Sequence, residues 1–244
     1  MPRSNPKVAN PRFVSTQWSL VIAAGRPSSP ATRDALASLC STYWHPLYAY
    51  VRRCGYAVAD AQDLTQEFFS RLIEKNYLKT ATRERGRFRS FLLASMKHFL
   101  ANEWDRAAAK KRGGGITHVS LEFDEVERIT GQEASRTLTP EELYERCWAL
   151  TLIGRALARI EGEFTRAGKA DLFDCLKNHL IGSGDRTSYA ETASRIGMTE
   201  GAVKVAAHRM RTRFRDLLRS EIAQTVASPD QVDDEVRYLL AVMS

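Results

Sequence analysis

The stretch "SYAETASRIGMTEGAVKVAAHRMRTRF", residues 188–214, decides how the chain is read. Ser188 and Glu191 stand at capping-box spacing, so a helix is expected to start there, and Gly197 is suited to the left-handed turn that stops it. Thr199 then caps a second helix whose first turn carries Glu200 beside the positive end of the helix dipole. The small Ala193 lets two helices cross closely. Ile196, Val203 and Ala206 have the apolar spacing by which a helix-turn-helix packs its second helix on its first. Val203, Ala207, Met210, Phe214 and Leu217 form the inner face, and Lys204, His208, Arg211 and Arg215 lie on the other side. From Met198 to Arg219 six basic residues stand against two acidic ones, so the outer face is cationic and suits DNA.

Outward from this stretch, apolar residues recur at spacings of three and four in nearly every long segment, which predicts an all-α chain. Strand-like alternation is confined to short pieces such as "THVSLEF". Gly113 to Gly115 open a polar, weakly periodic stretch read as a linker over 113–138. The expected organisation is a leader over 1–14, a helical domain over 15–112, the linker, a helix-turn-helix domain over 139–222 and an extension over 223–244. "TPEE" starts the back half, with Thr139 as cap, Pro140 at the first helical position and Glu142 completing a capping box. Leu143, Cys147, Leu150, Ile153 or Gly154, and Leu157 are expected to mark its buried face. Near the end, Ser228 caps a last helix with Val232, Val236, Leu239, Leu240 and Met243 as its apolar stripe. A lone helix of that length is marginal in water, so it must fold back or meet a regulator.

Thirty-six Lys and Arg against 29 Asp and Glu give a formal charge of +7, which favours an anionic partner. No run approaches the length of about 18 apolar residues that a membrane span needs, and no secretory cleavage pattern follows the basic start. A cytoplasmic protein without membrane insertion is expected. Cys40, Cys54, Cys147 and Cys175 are far apart, with no CxxC pair, and read as buried reduced thiols rather than metal ligands.

In the front half, "DAQDLTQEFFSRLI" puts Asp60, Asp63 and Glu67 on one helical face, with Leu64, Phe68 and Leu72 on the other. Aligned carboxylates raise the alternative of a metal-dependent phosphohydrolase. No His or second carboxylate cluster stands at ligand spacing to complete such a site, so no catalytic residue, metal or cofactor is assigned. Next, "TRERGRFRSFLLASMKHFLANEWDRAAAKKR" interleaves aromatic and basic residues, a pattern suited to single-stranded nucleic acid. Helical spacing assigns Phe88, Phe91 and Phe99 to the core, with Trp104 as a borderline member. Arg85, Arg87, Arg89, Lys97, His98, Asn102 and Arg106 remain as candidate contacts.

The order of these pieces resembles the extracytoplasmic-function sigma factors, small two-domain members of the sigma-70 family of bacterial RNA polymerase. The similarity spans about 15–112 and 139–222. It implies a non-enzymatic promoter-specificity factor that works with polymerase core, needs no cofactor, and has promoter DNA as its second partner. The front half would be region 2, with Asp60, Asp63, Gln66, Glu67 and Arg71 on the polymerase clamp. The loop from Tyr77 to Arg87 and the helix after it would capture an unstacked base of the -10 element. The back half would be region 4, touching the polymerase flap and reading the -35 element. Thr199, Ala202, Lys204, Val205, His208 and Arg209 match its reading face, and Arg211 and Arg213 would meet the DNA backbone. Val205 and Ala206 depart from the polar and basic pair usual there, so thymine-methyl contact or shape readout would substitute. The resemblance leaves room for an anti-sigma or other regulatory protein. The alternative of another class is a stand-alone helix-turn-helix regulator, which leaves the acidic helix and the basic aromatic segment without a role.

Overall fold

The computed structural model describes residues 30–74, 87–109, 138–180, 188–226 and 229–243, and among these residues it is all helical. Helix α1 spans Pro30–Arg53, α2 Val58–Glu74, α3 Phe88–Ala109, α4 Pro140–Arg166 and α5 Ala170–Leu176, followed by a 3-10 turn at Lys177–His179. Then come α6 at Tyr189–Ile196, α7 at Glu200–Ala223, a 3-10 turn at Pro229–Gln231 and α8 at Val232–Met243. The proposed leader, the linker up to residue 137, the "THVSLEF" stretch and the Ser228 cap lie outside the described residues. No described helix is long and apolar enough to cross a membrane.

Local signals set the helix starts. At α4 the Glu142 N–H donates to Thr139 Oγ1 at 3.2 Å, while the Thr139 N–H donates to Glu142 Oε2 at 2.7 Å. The same reciprocal box stands at α6 between Ser188 and Glu191, at 3.1 and 2.8 Å. Each box satisfies two amide groups that the first turn leaves without helical partners.

One apolar core runs through both halves of the chain. Tyr43, Leu47, Tyr48 and Val51 from α1, Phe68 and Leu72 from α2, and Phe88, Leu92 and Met96 from α3 enter it from the front. Tyr144, Trp148, Leu152, Ala156 and Ile160 from α4 enter it from the back. The longest helix contact of the fold is that of α1 on α4, so the halves expected on either side of a tether lie against each other. Hydrogen bonds also join the halves: the Tyr144 hydroxyl donates to the Arg89 carbonyl at 2.9 Å, Arg53 Nε donates to the Leu138 carbonyl at 2.8 Å, and Arg155 donates to Thr42 Oγ1. Fully burying one large apolar side chain contributes roughly 1.5–3 kcal/mol, so apolar contact dominates the seam over these bonds of about 1 kcal/mol each.

Three expectations need correction. The buried face of α4 is rotated: Leu143 and Cys147 are buried, but Leu150, Ile153 and Leu157 are only half-buried and Gly154 is exposed. The larger Tyr144 and Trp148 occupy the interior instead, because α4 is covered by α1 on one side and α7 on another, which widens its buried arc. On α8, Leu240 is exposed and the buried positions are Val232, Glu235 and Leu239. Of the four free thiols only Cys147 is buried, with Cys54 exposed and the other two half-buried.

Candidate nucleic-acid interface

The turn between α6 and α7 has the expected backbone. Gly197 adopts φ 67°, ψ 31°, the left-handed conformation that costs a residue with a Cβ but not glycine. The Met198 N–H donates back to the Ala193 carbonyl at 3.0 Å and closes the end of α6. Two residues on, Thr199 Oγ1 accepts from the Ala202 N–H at 3.2 Å and starts α7. Ala193, Val203, Ala207 and Met210 are buried where the two helices meet, and Ile196, Ala206 and Phe214 are half-buried around them.

The outward side of α7 carries Lys204, Val205, His208, Arg209, Arg211 and Arg215, all exposed like the capping Thr199 before it and Arg213 on another side, with Ala202 half-buried at its start. These cations are not equivalent. Lys204 pairs with Glu200 at 2.7 Å, which raises its pKa, and lies 5.9 Å from the centre of the Tyr189 ring. Arg211 donates to the Tyr189 hydroxyl at 3.2 Å. Arg213 is turned away, toward α4, where it donates two bonds to Glu163 at 2.9 and 2.6 Å and holds that carboxyl below its ordinary range. Arg209 and Arg215 form no ion pair with a described residue, so together with His208 they are the open part of the face. Val205 is 51% exposed among them, an apolar side chain presented to solvent on a cationic surface.

Comparison with protein-family models, with curated proteins and with solved structures found no match. The chain's own geometry therefore carries the functional reading.

In the front half the candidates divide. His98 and Asn102 are exposed on α3, and Trp104 two residues on is 70% exposed, which corrects its borderline assignment to the core. Phe88 and Phe99 are buried as expected, and Phe91 is half-buried. Lys97 is exposed but pairs with Glu141 of α4 at 2.6 Å, lowering that carboxyl's pKa. Arg89 is not at the surface: it is 3% exposed and paired with Glu145 and Glu235. Arg87 is partly exposed and also meets Glu235. Arg85 and the side chain of Arg106 lie outside the described residues. The position of Arg89 after a run of basic residues suggests surface, whereas its helical register, between Phe88 and Leu92, turns it inward against α4 and α8.

On α2, Asp60, Gln66 and Glu67 are exposed and Asp63 is half-buried on an acidic face opposite the buried Phe68 and Leu72. Arg71 donates to Glu67 at 2.6 Å and to Glu103 of α3 at 2.5 Å, and its guanidinium lies 5.1 Å from the centre of the Phe99 ring. It therefore braces α2 on α3 more than it offers a free charge. Among the described residues no group of three or more His, Cys, Asp or Glu side chains is placed to hold a metal ion. Sequence reasoning passed over Glu145, Glu163 and Glu235, and only the fold shows them, because each meets its arginine from another helix.

Proposed function

We propose that the chain is a sigma factor of the extracytoplasmic-function kind, which binds RNA polymerase core and directs it to promoters. The observation that carries this reading is the outward face of α7, where His208, Arg209 and Arg215 stand exposed behind the Gly197–Thr199 turn. That face has the shape and charge of a helix entering a major groove, with cations for phosphates and Val205 for a thymine methyl. The exposed acidic face of α2, with Asp60, Gln66 and Glu67, supports a second, protein-facing role in which it meets the polymerase clamp. His98, Asn102 and Trp104 would face the melted strand, stacking and hydrogen bonding without catalysis. The protein would work in the cytoplasm with no cofactor.

A run-off transcription assay with polymerase core, with and without the protein, tests the reading. A promoter-dependent transcript that requires the protein is expected. No such transcript from any genomic template, with folded protein, would sink it. A stand-alone DNA-binding regulator is the second reading, favoured by the burial of Arg89 and the pairing of Arg87 and Lys97. It requires specific duplex binding by the protein alone and no dependence on core polymerase.

A further inference from the structure

We infer that the C-terminal helix α8 is an intramolecular latch, whose Glu235 carboxylate fills a phosphate-binding site formed by Arg87, Arg89 and the start of α3. The inference rests on the reading of the α3 region as nucleic-acid-facing, and not on polymerase binding.

The site is built as an anion grip. Two cations converge on the Glu235 carboxylate as they would on a phosphodiester: Arg89 donates a hydrogen bond to Oε2, and Arg87 forms an ion pair on the Oε1 side without a hydrogen bond to that oxygen. They stand at the N-terminal end of the 22-residue α3, where the helix dipole favours negative charge. Arg89 lies between two rings, 4.5 Å from the centre of Trp148 and 4.5 Å from that of Tyr238, and Arg87 is 5.3 Å from Tyr238. Glu235 itself is 1% exposed. Glu145 also faces Arg89, at 2.6 Å, and burial raises its pKa before Arg89 partly offsets this. Two arginines thus face one carboxylate from the body and one from the tail.

The occupant is removable. Only Val232 and Leu239 are its fully buried apolar residues, and a cleft of about 470 Å³ stays open between α4 and α8 beside Glu145, Arg146, Tyr238 and Val242. A helix of 12 residues has little stability of its own. A buried ion pair adds little net stability, since desolvation offsets attraction, and so suits a switch better than a rivet. The acidic first turn of α8, Asp233 to Glu235, also reaches the back half, where Asp233 pairs with Arg219 of α7. One short helix therefore neutralises cations from both basic regions, as a strand of phosphates would.

A latch of this kind multiplies the affinity for a competing strand by the fraction of open molecules, and so raises the apparent Kd. The test is fluorescence anisotropy with a short labelled single-stranded DNA and the full-length protein, without polymerase. Leu239→Ala loosens α8 without changing any charge, and Glu235→Gln removes the occupant's charge; each is expected to tighten binding by about ten-fold or more. Adding Arg87→Ala to Leu239→Ala is expected to remove most of that gain. Binding to unaltered protein must in turn loosen the tail, so DNA should speed amide exchange over 232–243. This arm needs no variant to fold. Unchanged or weaker binding by Leu239→Ala, a gain seen with Glu235→Gln alone, unchanged exchange at saturating DNA, or no binding by any of the proteins would each overturn the latch. A transcription assay without product would leave these readouts standing.

Discussion

Arg213 of α7 and Glu163 of α4 form a two-bond pair, at 2.9 and 2.6 Å, that fastens the back of the basic helix to the body of the protein. A cation expected on the DNA backbone is thus a brace. Because both side chains remain partly exposed, solvent screens the pair, and its removal should cost only about 0.5–1 kcal/mol. Arg213→Ala is expected to lower the urea midpoint slightly. The contribution has a defined sign with pH. Hydrogen bonding by Arg213 depresses the Glu163 carboxyl, so the stability is present above the ordinary glutamate range and lost as pH falls through the depressed value. The midpoint difference between the parent protein and Arg213→Ala should therefore shrink in acid; a difference that grows on acidification would contradict this assignment.

The same relationship separates the cations of α7 in a DNA titration. Arg209→Ala should reduce the slope of log K against log salt by roughly one unit, as expected for one lost phosphate contact. Lys204→Ala should reduce the slope less, because Lys204 must give up its pair with Glu200 before it can meet a phosphate. Arg213→Ala should change the slope least of the three. Equal slopes for all three variants would remove the distinction drawn between open and engaged cations.

At the turn, Gly197 has φ +67° and open space where a Cβ would go, so only backbone conformation opposes a side chain there. Gly197→Ala should therefore destabilise by about 1 kcal/mol, and Gly197→Asn by less, since asparagine tolerates the left-handed region better. Thermal melts of the two variants check the order. Alanine equal to glycine would mean that the turn relaxes.

In the shared core, Leu152 is 1% exposed in a cluster fed by α1, α2, α3 and α4. Leu152→Ala should cost about 2–5 kcal/mol. It should also destabilise front and back together, in one cooperative transition, because among the described residues a single main core takes side chains from both halves. Two resolved calorimetric transitions, only one of them moved by the substitution, would show that the seam between α1 and α4 does not hold in solution.

Much of the architecture was legible from neighbouring residues. Helical content, the caps at Thr139, Ser188 and Thr199, the turn at Gly197 and the inner face Val203–Ala207–Met210–Leu217 all follow from spacings of three and four within one or two turns. Such interactions depend on backbone geometry alone, so they can be read before the fold exists. The α4 face was legible only in part: periodicity identifies several adjacent stripes on a helix with apolar residues on many sides, and the neighbours that cover it select among them.

The sequence by itself determined an all-helical chain, a sharp capped turn and a basic helix with one apolar and one polar side. Only the tertiary structure decided that the two halves share a core, that Arg213 braces α7 on α4, and that Arg89 is buried against Glu235, 146 positions away. The physical reason is range. Caps and periodicity act across a few residues, whereas the partner of a charge and the cover of a helix face are set by whichever distant segment packing brings alongside.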